Sequence, residues 1–224
     1  MSASADDLIR IRLDAILAGT EAVELPLFDQ EKGHRIGAMR PLTSRHLDQI
    51  DVIQKLTDWR NANMANFLTH FEATPVRTRA WVQNALLKNR GQMLWLVYDQ
   101  IDNLVGHFGF KNLTLQSVLL DNAMRGERQG HPKLFVIAGK SLIQWLWKAT
   151  SVQRIDAYVM ADNVPSIMMN RQIGFQGWVR HPLIKRTIEG DTHWDIGGEG
   201  ETSADGRYCF TLFIKRVVDP SAPA

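Results

Sequence analysis

The chain is poor in cysteine, with one, Cys209, in 224 residues. A lone cysteine excludes an intramolecular disulfide framework and any zinc site built from several thiolates. Its setting in the apolar run 208–214 reads as a small buried hydrophobe, since no histidine stands beside it to draw off the thiol proton. Charge of one sign is also scarce: 26 lysines and arginines stand against 24 acids, a formal net charge of +2. That excludes nucleic acid as the expected partner, because binding it takes a broad basic stripe. The one local basic cluster, Arg125, Arg128, His131 and Lys133, suits a phosphate-bearing small molecule instead. No apolar run approaches the ~20 residues of a membrane span. The opening M-S-A-S-A-D-D lacks the basic region and apolar core of a signal peptide. The expectation is a cytoplasmic protein with no membrane partner, and neither internal repeats nor low-complexity segments interrupt it.

What is present is enough for one buried core. With 45% apolar and 22% charged residues over this length, the chain fits a single domain with an extension. Residues 7–18 place Leu8, Ile9, Leu13, Ile16 and Leu17 near one helical face that Gly19 ends. Residues 22–28 read as extended and 29–33 as a turn. This opening part, 1–34, is either an added strand and helix or an arm that forms a homodimer. A first strand is expected over 35–42. Thr43 or Ser44 then caps a helix with Leu47, Ile50, Ile53 and Leu56 on one stripe. A second helix is expected over 77–88 with Thr78 as its cap, and the segment between, 58–75, is polar and aromatic by turns.

The continuous apolar run 93–98 predicts a strand covered on both faces, with 104–110 as its hairpin partner and 117–124 as the next strand. A loop over 125–132, a helix over 133–150, a strand over 154–160 and a short helix over 165–173 follow. Strands 176–184 and 207–215 close the chain. The Gly- and acid-rich stretch 189–206 between them, with His193 and Trp194, either covers an acceptor or is a mobile hairpin connection. The fold class is α/β: one domain over 35–218 with a mixed sheet and helices on both faces, and a disordered tail over 219–224.

Two strand-to-helix units carry the chemistry. In N-A-M-R-G-E-R-Q-G-H-P-K-L, from Asn122 to Leu134, Gly126 and Gly130 allow backbone to approach a ligand. Pro132 suits the first turn of a helix whose free amides favour phosphate, and Arg125, Arg128 and Lys133 add charge for a diphosphate. In D-N-V-P-S-I-M-M-N-R-Q-I-G-F, from Asp162, the pair Asp162 and Asn163 caps a helix that Pro165 starts and Gly174 ends. Two such units about thirty residues apart can build one cofactor groove.

Together these segments resemble the GNAT superfamily of acetyl-CoA-dependent N-acyltransferases. R-P-L-T-S-R-H-L from Arg40 and V-G-H-F-G-F from Val105 look like its opening strand and helix and its third strand. The resemblance covers about four fifths of the chain. It implies a sheet whose fourth and fifth strands splay apart, with acetyl-CoA in the gap. It implies that Asn122, Ala123 and Met124 hold the pantetheine arm by their backbone, and that Arg125, Gly126, Arg128, Gly130, His131, Lys133 and Leu134 form the pyrophosphate loop and helix start. Arg125 and Arg128 compete there for the family's Gln/Arg position. Asn163 corresponds to an asparagine lining the cofactor channel. Asn170 stands where many relatives have the tyrosine that protonates the departing thiolate; an amide is no acid, and Tyr158 is a substitute. Candidate bases for the acceptor ammonium are Asp121, Glu127 and His107.

For the acceptor, Trp59-Arg60-Asn61, followed by Phe67 and Trp81, resembles a segment of relatives that acetylate nucleotide-linked amino sugars. Rings of this kind stack on a base or sugar, and Arg60 reaches a phosphate. A small-molecule amine, best fitted by a nucleotide-linked sugar, is therefore the expected partner. Acetylation of a protein amino terminus or lysine is the alternative, and a non-catalytic acyl-CoA-binding module a third.

Overall fold

The computed structural model describes residues 5–217; the tail expected over 219–224 lies outside the described residues. Helix α1 (Ala5–Ala18) precedes β1 (Leu25–Phe28) and β2 (Arg35–Pro41). Helix α2 (Ile50–Ala62), β3 (Thr69–His70) and α3 (Pro75–Trp81) lead to the antiparallel strands β4 (Met93–Asp99), β5 (Leu104–Lys111) and β6 (Ser117–Arg125). Then come α4 (Leu134–Ala149), β7 (Arg154–Met160), α5 (Val164–Ile173), β8 (Gln176–Ile188), β9 (Asp191–Ile196) and β10 (Tyr208–Lys215). The strands form one sheet in the order β1-β2-β4-β5-β6-β7-β10-β8-β9-β3. The last strand thus inserts between β7 and β8, and only β6 and β7 run parallel among the described strands.

The apolar run of β4 explains how the sheet is covered. Met93, Trp95 and Val97 enter a core with α1 and α4, while Leu94 and Leu96 enter a second core with α2 and the turn after α3. Period-two alternation with apolar residues on both sides forces a helix onto each face. In α1, Leu13, Ile16 and Leu17 are buried as the stripe requires, although Leu8 is left exposed.

Several local expectations give way to the tertiary fold. The helix expected from Thr43 is a 3-10 turn, Ser44–Asp48, followed by a separate α2, and Ile50 of the expected apolar stripe points to solvent. The next helix starts earlier than expected. Thr74 is its cap, accepting from the Arg77 amide at 3.2 Å, with Pro75 in the first turn. Thr78 is instead buried, receiving the Thr57 hydroxyl at 2.8 Å. The stretch 189–206 is no single loop. Glu189 and Gly190, both at positive φ, make a two-residue turn, and β9 pairs back on β8 with Ile188 opposite Asp191. This is hairpin geometry that usually selects Asn-Gly, which is why a glutamate in the first turn position hid it. Strand β9 also holds β3 in register, Thr69 opposite His193.

Candidate active site

The site begins with a break in strand pairing. Strands β6 and β7 pair over four residues, from Ser117 opposite Arg154 to Leu120 opposite Ala157. Beyond Leu120, β6 stays with β5 and β7 with β10. The cause is a bulge: Asp121 faces Gly109 and Met124 faces His107, so β6 carries one residue more than its partner, and Asn122 sits at φ 52°. An extra residue bends the bulged strand, and asparagine tolerates the left-handed region better than most side chains. The β6 edge from Asp121 to Arg125 therefore faces no strand. A cavity of about 500 Å³ fills the divergence, walled by that edge, by Ala157 to Met160 of β7, and by the starts of α4 and α5.

A second cavity of about 390 Å³ adjoins it, the two sharing Phe67 and Asn122. It is lined by Arg60, Phe71, Arg77, Trp81 and His107. His107 stands at the junction, 6% exposed, with Nδ1 2.6 Å from the Asn122 carbonyl. Burial pushes the imidazole down to about 4, opposed by the Asn122 carbonyl and by Asp121. The ring is therefore neutral at pH 7. Its proton sits on Nδ1, donated to Asn122, and its lone pair on Nε2.

This burial makes stability pH-dependent. An unfolded histidine titrates near 6.5, whereas the folded one accepts its proton only near 4. Between those values the unfolded chain binds more protons, so stability is lost as pH falls through that window. Denaturant unfolding at pH 7 and pH 4.5 should show the wild type losing about 2 kcal/mol more than His107→Asn; equal losses would refute the assignment.

The other candidate bases are held elsewhere. Asp121 lines the first cavity, but its carboxylate pairs with Lys111 Nζ at 2.8 Å and accepts from Asn122 Nδ2 at 3.0 Å. Glu127 lines neither cavity. Lys55 Nζ at 2.9 Å, and the Trp59 indole further, hold its carboxyl below the usual range.

The loop after β6 is organised by Arg125. Its guanidinium donates to the carbonyls of Glu127, Arg128, Gln129 and Pro132 at 3.0–3.4 Å. Drawing four carbonyls to one side leaves the amides of Arg128, Gln129, Gly130 and His131 without an internal acceptor among the described residues, ahead of α4. The amides of Gly126 and Glu127 are not free: both donate to the Val105 carbonyl at 2.9 Å. The basic cluster does not converge. His131 Nε2 lies 3.2 Å from Asp29, Lys133 Nζ pairs with Glu31 at 2.6 Å, and only the Arg128 side chain has no carboxylate or carbonyl partner among the described residues. Gly130, at φ 84°, folds against Asp99. Leu134 is fully buried, and Pro132 precedes the cap Lys133 rather than opening the helix.

Gly126 has a different reason from the one its sequence suggests. A Cβ there would lie 2.0–2.4 Å from the Trp59 ring, so the glycine makes room for that indole and not for a ligand. Trp59 is 5% exposed, in the core with α2, and lines neither cavity. Asn61 is also structural, clamping Ala73 through its amide (2.9 Å) and its carbonyl (2.8 Å). Of the Trp-Arg-Asn triplet only Arg60 faces the second cavity, with Trp81 on its wall. Phe71 and Arg77 were missed by sequence reasoning; the mixed polar and aromatic character of 58–75 was the one signal for Phe71, and Arg77 stood in an expected helix with none.

On the β7 side, Asn163 caps α5 by accepting the Ser166 amide at 3.1 Å, and Gly174 ends that helix at φ 116°. Asn170 lines the first cavity, but its Nδ2 donates to the Ser166 carbonyl at 2.8 Å. Tyr158 lines the same cavity from β7 and is 45% exposed.

The chain matches the family model for an acetyltransferase (GNAT) domain over residues 38–176. Among solved structures it is similar to a probable GNAT-family acetyltransferase from Chromobacterium violaceum, at TM-score 0.59 and 11% identity over 81% of this chain and 84% of that one. It is also similar to a Salmonella typhimurium acetyl transferase that modifies the N-terminal serine of ribosomal protein L7/L12 (TM-score 0.56, 14%, covering 82% and 96%). A third is a spermidine N-acetyltransferase from Vibrio cholerae in complex with CoA and spermine (TM-score 0.54, 14%, covering 79% and 94%). At such identities these likenesses speak for the fold alone. No curated protein sequence matches the chain. No helix among the described residues is long and apolar enough to cross a membrane.

Proposed function

This chain belongs to the GNAT acetyltransferase family and is an acetyl-CoA-dependent N-acetyltransferase, and from that premise we propose that its acceptor is a small primary amine, the amino group of a nucleotide-linked amino sugar. The observation that carries the reading is the pair of adjoining cavities that meet at Asn122 and Phe67, one between splayed strands and one walled by rings and arginines. The first fits coenzyme A: its β6 edge has no opposing strand, and the free amides of Arg128 to His131 stand ahead of α4, where a helix amino end favours phosphate. When bound, acetyl-CoA supplies an acetyl group activated as a thioester.

The chain's own residues do the rest. Asn122 and its neighbours on the β6 edge orient the donor by backbone groups. The acceptor reacts as the neutral amine, and His107 Nε2 takes a proton from its nitrogen once attack on the thioester carbon has made that N–H acidic, the ring held by the bond from Nδ1 to Asn122. Tyr158 Oη is the proton donor we assign to the leaving sulfur, because the amide of Asn170 is engaged within its own helix. Trp81 offers a ring face to a sugar or base, while the rings of Phe67 and Phe71 are stacked by Arg60 and Arg77.

Acetylation of a protein amino terminus is the second reading, favoured by likeness to the Salmonella enzyme that modifies a ribosomal protein. Against it, one wall of the acceptor cavity is Thr69 of β3, which β9 holds in place, and the rest of the lining is aromatic and cationic rather than an extended peptide groove. Release of free thiol from acetyl-CoA, followed with UDP-glucosamine and with a peptide bearing an N-terminal serine, decides between them. We expect kcat/KM for the amino sugar to exceed that for the peptide by about 100-fold; the reverse order would replace the first reading by the second.

A further inference from the structure

The acceptor cavity holds a charge that no acidic group among the described residues balances. The Arg60 guanidinium lies between two rings, 3.7 Å from the Phe67 centroid and 4.7 Å from that of Phe71. Its Nη2 donates to the Thr69 carbonyl, but Nη1 is buried without a hydrogen-bond partner among the described residues. The neighbouring charge is a second cation, Arg77, stacked on Phe71 at 3.8 Å. Arg77 is already neutralised, ion-paired to Asp191 at 2.6 Å; Arg60 has no ion pair among the described residues. Burial, and Arg77 after it, pull Arg60 down to about 10, which leaves it protonated at neutral pH. A purely structural arginine accounts for the Thr69 bond and for both ring faces. It does not account for an interior N–H aimed at no acceptor, an arrangement proteins rarely keep. A trapped water would satisfy the hydrogen bond but not the charge.

We propose that Arg60 is the anchor for an anionic group on the acceptor, a phosphate ester or a carboxylate, so that the enzyme selects amines that carry a negative charge away from the reacting nitrogen. The amine is met by His107 at the mouth shared with the donor cavity, and the anion by Arg60 within the same cavity. This rests on the acetyltransferase reading for the position of the amine, but the anion site stands on its own geometry. An anionic group drawn against the Arg60 guanidinium neutralises the cavity, and with a small shift of the Phe67 or Phe71 ring that uncovers Nη1 it fills the missing bond as well.

Paired substrates test it. Glucosamine and glucosamine 1-phosphate differ by a phosphate, and butylamine and 4-aminobutyrate by a carboxylate. Wild type should favour the anionic member of at least one pair by about 100-fold in kcat/KM, and the favoured pair identifies the anion. In Arg60→Met that preference should shrink to about threefold, and Arg60→Lys should recover part of it. The stabilisation of the protein by acetyl-CoA should persist in Arg60→Met, which shows that the variant is folded. Its unliganded melting temperature should rise by about 3 °C, since an unpaired, partly buried charge is gone. Equal use of both members of both pairs by wild type, or a preference that survives Arg60→Met, overturns the anchor while leaving the transferase intact. If no amine is turned over, calorimetric binding of glucosamine 1-phosphate to wild type carries the test: binding lost in Arg60→Met upholds the anchor, and no binding to wild type overturns it. Failure of acetyl-CoA to bind at all would instead strike the acetyltransferase reading.

Discussion

Gly126→Val is expected to lower the melting temperature by about 10 °C and to abolish measurable stabilisation by acetyl-CoA. Atoms of the Trp59 ring lie 2.0–2.4 Å from where the new Cβ would sit, far inside van der Waals contact. The indole has nowhere to retreat. It is 5% exposed, packed in the core with α2, and flanked by His107 at 6.2 Å between ring centroids and by Lys55 at 5.4 Å. Overpacking a closed core costs about 1–3 kcal/mol and more where backbone must move, and in a chain of this size each kcal/mol is roughly 2–4 °C. The backbone that would move is the start of the loop, where the Gly126 and Glu127 amides bind Val105, so the donor site is displaced with it. Trp59→Phe combined with Gly126→Ala should be more stable than the sum of the two single changes predicts, because the smaller ring vacates the space. Strict additivity in thermal unfolding would show that the loop does not rest on this contact.

His107→Asn is expected to reduce kcat by about 100-fold or more while acetyl-CoA binding changes little. Asparagine can keep a hydrogen bond to the Asn122 carbonyl and so the bulge, but it has no basic nitrogen where Nε2 was. Asp121→Asn, by contrast, should reduce kcat by no more than about fivefold, because that carboxylate is engaged by Lys111 and by the Asn122 amide. The pH profile adds a separate signature. With the imidazole pushed down to about 4, it is already neutral through the working range. The rise of kcat/KM with pH should therefore follow the acceptor amine and show no limb near 6.5. Steady-state rates of the two variants from pH 5.5 to 9 decide the matter: a hundredfold loss in Asp121→Asn with His107→Asn unimpaired would transfer the role of base.

Much of the scaffold was legible in local pattern. The run in β4 announced a strand covered twice, and β4 feeds both cores. The Asn163, Pro165 and Gly174 punctuation announced α5, and the structure has that cap and that left-handed end. The candidate site was legible in its position but not in its division of labour. Arg125 and Gly126 were expected to meet a ligand; Arg125 instead gathers the loop carbonyls, and Gly126 yields space to Trp59. His107, one of three candidates for the base, is distinguished only by the bulge opposite it. Asparagine is depleted in strands and tolerant of positive φ, so Asn122 hinted at an irregular position, but the residue pattern does not place the bulge.

The sequence by itself determined that strands and helices alternate into a two-faced α/β sheet, and where the two strand-to-helix turns fall, because hydrophobic period and helix caps act between residues a few positions apart. Only the tertiary structure decided that β6 and β7 part after Leu120, that Trp59 closes on Gly126, and that Arg60 alone of its triplet is left facing the acceptor cavity without a counter-charge. Those outcomes depend on which distant segments compete for the same space and the same hydrogen bonds, and that competition exists only once the chain has folded.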